Sequence, residues 1–86
     1  MPKTHVHLPE GVALHARPAG RLVREAARFQ AKVTVAANGK TANARSILEV
    51  LALGITGGSE LTLQADGSDA AEALAALESL IAALSE

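Results

Sequence analysis

His15 and Arg17 lie in the stretch Gly11-Val12-Ala13-Leu14-His15-Ala16-Arg17-Pro18-Ala19, where strand-like alternation gives way to helical spacing. A neutral imidazole is a nucleophile at ordinary pH, so what surrounds His15 decides its use. Behind it Ala19, Leu22, Ala26 and Phe29 recur at spacings of three, four and three, the apolar face of a helix running from about Ala16 to Phe29. His15 therefore falls at a helix N-terminus. The first-turn N–H groups there have no acceptor within the helix, and the positive end of the macrodipole favours an anion such as phosphate. Arg17 adds a full positive charge. Pro18 has no N–H and a fixed φ, which suits the first helical turn. A lone histidine at a helix start commonly caps or is merely solvated, whereas His-x-Arg-Pro at that place points an imidazole at phosphate.

Three other groups of residues could do chemistry or recognition. Arg17, Arg21, Arg24 and Arg28 fall at spacings of four, three and four on the opposite side of the same helix, a basic ridge leading away from His15. Such a stripe is common on a solvated helix, but beside a phosphate-bearing histidine it suits an acidic partner. Ser46 and Glu49 form an S-x-x-E capping box, with the serine oxygen taking one helix N–H and Glu49 reaching back to another. His5 and His7 share one side of a strand, but no cysteine and no evident third ligand accompany them, so a wet sheet face is the reading and no metal is expected.

The elements that must position these residues follow in order. Thr4, Val6 and Leu8 alternate with Lys3, His5 and His7 in a first strand, which Pro9-Glu10-Gly11 ends. After the helix, Lys32 to Ala37 reads as a second strand with Val33 and Val35 inward. Asn38-Gly39 makes a hairpin into a third strand near Lys40 to Asn43. The helix capped by Ser46 carries Ile47, Leu48, Val50, Leu51 and Leu53, more apolar positions than one face of a short helix can bury. Gly54 ends it, Gly57-Gly58 reads as a mobile connection, and Glu60 to Ala65 is a fourth strand with Leu61, Leu63 and Ala65 inward. Asp66-Gly67 turns the chain, Ser68 or Asp69 caps a last helix, and Leu74, Leu77, Ile81 and Leu84 form its buried stripe. The order is βαββαβα, an α+β open-faced β-sandwich with three helices on one face of the sheet.

The 86 residues are expected to form one domain, residues 1–86, with a core sufficient without disulfides. Absence of cysteine fits a reducing compartment. The N-terminal residues carry no secretory pattern and no run approaches membrane-spanning length, so the expected location is the cytoplasm, without membrane insertion. A formal net charge of −1 gives no reason to expect nucleic acid, and Phe29, the single aromatic, cannot build a base-stacking surface.

Residues Leu14-His15-Ala16-Arg17-Pro18-Ala19 resemble the active-site segment of the HPr family, the histidine-containing phosphocarriers of the bacterial phosphoenolpyruvate:sugar phosphotransferase system. Asn38-Gly39-Lys40 followed by Asn43-Ala44-Arg45-Ser46-Ile47-Leu48 resembles the family's turn and regulatory-serine segment, and Leu53-Gly54 through Gly58 the loop after it. The resemblance covers the whole chain. It departs at Ala13, where the family usually has glycine, with the glycine here displaced to Gly11. It implies a four-stranded antiparallel sheet in the order 1-4-2-3. His15 would accept a phosphoryl group on Nδ1 from enzyme I and pass it to sugar-specific enzyme II A domains. Arg17, the N–H groups of Ala16 and Arg17, and Pro18 would form the phosphate-stabilising turn. Ser46 would be a regulatory phosphorylation site, adding HPr kinase/phosphorylase and a transcriptional regulator to the partners. Ala19, Arg21, Arg24, Ile47, Leu48 and Leu51 would form the docking surface, with Val50 and Leu53 in the core. A monomer without cofactor is expected. The alternative is a regulatory HPr-like adaptor that acts through protein contacts without a transport role.

Overall fold

The alternation at the N-terminus becomes strand β1 (Lys3–His7) in the computed structural model, which describes residues 2–84. Val6 and Leu8 are buried while Lys3, His5 and His7 face out, so the period of two places the histidines on the wet side. The chain continues through α1 (Ala16–Ala26), β2 (Lys32–Ala37), β3 (Lys40–Asn43), α2 (Ile47–Ala52), β4 (Glu60–Asp66) and α3 (Ala70–Ala82). The strands form one antiparallel sheet in the order β1-β4-β2-β3. Val6 pairs with Leu61 and Val35 with Leu63, which puts Val6, Leu61, Leu63, Val33 and Val35 on the face that the helices cover. Asn38 at φ 55 and Gly39 at φ 75 supply the two left-handed residues that a tight hairpin matching the strand twist requires.

Helix α1 ends at Ala26, short of the expected Phe29. The N–H groups of Arg28 and Phe29 turn back to the carbonyls three residues earlier, Glu25 and Ala26, tightening the last turn. Beyond it, groups that a longer helix would have used internally are captured from elsewhere. The Arg45 guanidinium donates to the Phe29 carbonyl, and the Asp69 carboxylate accepts the N–H of Gln30 at 2.9 Å and of Ala31 at 2.8 Å. Phe29 thus packs half-buried at the edge of the core from a turn, while Ala19, Leu22 and Ala26 form the buried stripe.

Asp69 also departs from expectation. It occupies the N-cap position of α3, yet its side chain makes no capping bond and ties down the α1–β2 turn instead. The bond from Gln30, with that from Ala31 and the Arg45 charge, holds its pKa below the ordinary carboxylate value, against a desolvation effect of opposite sign. On α3, Leu74, Leu77 and Ile81 are buried, as their spacing requires; the helix ends at Ala82, so Leu84, expected in the same stripe, is buried from just beyond it. No helix among the described residues is long and apolar enough to cross a membrane.

Candidate functional site

His15 is the N-cap of α1, with extended backbone at φ −91° and ψ −167°. Its carbonyl accepts the first helical bond, from the N–H of Ala19 at 2.9 Å, and its own N–H donates to Ala13 O at 2.9 Å. The imidazole is exposed and makes no capping bond, so the ring is not engaged in holding the helix. Ala16 and Arg17 follow as the first two helical residues, whose N–H groups have no acceptor within the helix. No acidic residue stands in the first turn to compete with an incoming anion. Pro18 is third, and its ring is fully buried, so it shapes the turn from beneath rather than touching a bound phosphate. The side chain of Arg17 is exposed on that turn. Ala13 needs no glycine-like backbone, since Asn38 is the one described residue other than glycine with positive φ; the left-handed conformation sits at Gly11, φ 84.

Arg21 and Arg24 are exposed along α1 and, with Glu25, Arg28 and Leu80, line a shallow groove. At its far end Glu25 grips Arg28 through both carboxylate oxygens, at 3.0 and 2.8 Å, so Arg28 adds little net charge there. On α2, Val50 and Leu53 are buried while Ile47 and Leu48 are 37% and 78% exposed. Leu51 is half-buried against the core, so it belongs only in part to any docking patch. Ala19 belongs to none, being 0% exposed beneath α1. What occupies that level of the surface is Gly20: a Cβ there would stand 3.7 Å from Ile47 Cδ1 and 3.8 Å from Arg24 Nη1. Ile47 is thereby joined to the basic helix five residues past His15.

Ser46 caps α2, its Oγ accepting the Glu49 N–H at 3.3 Å. The second half of the expected capping box does not form. Glu49 Oε1 accepts instead the N–H of Asn43 at 2.9 Å, because the turn after β3 places that donor nearer and the Ser46 N–H already donates to Asn43 O. On the open sheet face His5 Nδ1 lies 3.0 Å from Thr62 Oγ1, and among the described residues no three His, Cys, Asp or Glu side chains group as metal ligands.

The family model described as the PTS HPr component phosphorylation site matches residues 3–83. The chain belongs to the HPr phosphocarrier family. It is 44% identical over 78 residues to the phosphocarrier protein HPr of Mycoplasma capricolum subsp. capricolum, across 91% of this chain and 88% of that protein. The fold matches crystal structures of HPr from Thermoanaerobacter tengcongensis (TM-score 0.90, 35% identity, 95% of this chain and 92% of that one) and Bacillus anthracis (0.88, 41%, 93% and 95%). It also matches the Bacillus subtilis catabolite repression protein Crh, crystallised as a domain-swapped dimer (0.75, 39%, 95% and 92%).

One part of this site carried no sequence signal of its own. The Gly57-Gly58 connection, expected to be mobile, is bonded to the segment leading into His15: Leu14 N–H donates to Ile55 O at 3.0 Å and Gly58 N–H to Leu8 O at 2.7 Å. Adjacent glycines ordinarily mark a loose loop, and only the long-range contact reveals otherwise.

Proposed function

We propose that His15 is the phosphoryl carrier, taking the group from a phosphohistidine on enzyme I and passing it to sugar-specific enzyme II A domains. The observation that supports this most is an exposed N-cap imidazole engaged in no cap, beside Arg17 and two first-turn N–H groups. In the forward step Nδ1 of the neutral ring, its proton on Nε2, forms a bond to phosphorus as the N–P bond to the donor's protonated ring breaks; the donor leaves as neutral imidazole, and the phosphorylated His15 ring holds the positive charge until its Nε2 proton passes to solvent. Phosphoryl transfer needs positioning and charge stabilisation more than covalent chemistry from the protein. The helix end offers both through Arg17 and the N–H groups of Ala16 and Arg17. Arg21, Arg24, Ile47 and Leu48 form the docking surface for these partners, and Ser46 is the regulatory phosphorylation site.

The test is incubation with phosphoenolpyruvate and purified enzyme I. Acid-labile phosphate should appear on the protein, and His15→Ala should abolish it with the fold intact, because the residue is exposed and its side chain makes no capping bond. Label persisting in that variant would refute the assignment. The likeness to Crh favours a second reading, a regulator acting through contacts alone, and the same incubation separates the two, since that reading expects no label. Sedimentation or size exclusion tests the monomer proposed here against a dimer such as Crh forms.

A further inference from the structure

We propose that Gly57 is a positioning residue for His15, its bare Cα letting segment 55–59 press against the turn that delivers the histidine. The inference rests on His15 as the phosphoryl acceptor. Residues 9–12 form a tight turn in which the Val12 N–H donates to Pro9 O at 3.2 Å and Gly11 takes φ 84, the left-handed third position such a turn needs. A Cβ on Gly57 would stand 2.8 Å from Gly11 N, 3.0 Å from Pro9 O and 3.0 Å from Val12 O. All three are main-chain atoms held by the turn, so no change of rotamer relieves the clash. The two segments are sewn together by Leu14 N–H to Ile55 O, Gly58 N–H to Leu8 O and Leu8 N–H to Ser59 O, at 3.0, 2.7 and 2.9 Å. Val12, Leu14 and Ile55, all buried, anchor both from below. Between the contacted turn and the helix cap lie only Ala13 and Leu14, so a displacement of the turn reaches His15. Gly57 itself does not occupy the left-handed region. Alanine would therefore meet no left-handed strain, and the substitution tests the close approach.

The experiment compares Gly57→Ala with Gly67→Ala, whose Cβ would meet Ala31 Cα at 2.7 Å beyond the other end of α1 and whose φ of +150 adds strain of its own. The readouts are the NMR signals of the His15 ring in the unphosphorylated protein, and the maximal rate and half-saturating protein concentration for labelling by enzyme I. Gly57→Ala should shift the ring signals and lower the maximal rate by about tenfold, since a misplacement of about 1 Å can cost about a hundredfold in rate and this one is partly absorbed over Ala13 and Leu14. The half-saturating concentration should stay near the wild-type value, because the α1 and α2 surfaces are untouched. Gly67→Ala should lose at least as much thermal stability and leave ring signals and rate unchanged. Wild-type signals and rate in Gly57→Ala, its failure to fold, or an equal loss of rate in Gly67→Ala would make the contact purely structural and overturn the proposal. Absence of label on the wild type would instead overturn the carrier reading, and the ring signals would still decide whether Gly57 sets the geometry of His15.

Discussion

Arg17 and His15 would divide, in the proposed carrier, what a phosphoryl relay asks of one helix end: a ring nitrogen to bond phosphorus and a positive charge beside it. Because the Arg17 side chain is exposed and open to screening, its contribution should fall below that of a donor in an enclosed site. Arg17→Ala should slow labelling by enzyme I about tenfold, against the roughly hundredfold or more that removing an enclosed donor costs. Stability should move by no more than about 0.5 kcal/mol, as for other surface substitutions. Lysine at this position should restore part of the rate, since the charge returns without the planar fork that matches phosphate oxygens. Rates equal to wild type for Arg17→Ala in both directions of transfer would remove Arg17 from the mechanism.

Helix α1 carries a weak point in its middle and an unusual tether at its end. Gly20 is helical, and a Cβ there would make only ordinary van der Waals contact with Ile47 and Arg24. Gly20→Ala should therefore raise stability by about 0.5–1 kcal/mol through the lower backbone entropy of the unfolded chain, read as a higher denaturant midpoint with unchanged slope. At the far end, the Asp69 carboxylate holds the Gln30 and Ala31 N–H groups and its pKa lies below the ordinary 3.8. Its contribution to stability is full above that value, where the unfolded carboxylate is also ionised, and fades as pH falls through the lower folded pKa. Asp69→Asn keeps the size but loses the charge and one acceptor oxygen. Melting temperatures followed from pH 7 downward should show the variant below wild type at neutral pH, with the gap closing at pH values under about 3.8. A gap independent of pH would mean the carboxylate charge contributes nothing.

Charge is segregated across the whole molecule in a way its net value of −1 conceals. All eight lysines and arginines fall within residues 1–45, and seven of the nine acids within 46–86. The basic helix α1 and the acidic helix α3 pack side by side on one face of the sheet, so an acidic partner, as proposed, would be steered toward the α1 side. Ser46 stands at the rim of that side, next to Ile47. Phosphate there, or Ser46→Asp, brings negative charge to the border of the basic surface and should weaken docking of enzyme I, the more so at low salt, with little change in melting temperature. Ser46→Ala should cost about 1 kcal/mol for the lost cap and label at nearly the wild-type rate. Equal labelling rates for Ser46→Asp and wild type at sub-saturating concentration would leave Ser46 as a cap only.

What the sequence determined by itself was what neighbouring residues decide among themselves. Alternation set β2, Asn38-Gly39 set the hairpin that leads into β3, Ser46 set the start of α2, and the stripe after His15 put that ring at a helix end. These are local matters, because side-chain period and cap chemistry act within a turn or two of the chain. The strand order 1-4-2-3 came from family resemblance; spacing tells which face of a strand is buried but not which strand lies beside it. Tertiary structure alone decided where α1 stops, since Arg45 and Asp69 reach it from 16 and 38–39 residues away. It also sent Glu49 to Asn43 rather than Ser46, buried Ala19 and half of Leu51, and seated Gly57 against the turn before His15. In each case a backbone group or a void was open to competition, and the winner was whichever distant atom the packed fold brought within hydrogen-bonding or contact distance.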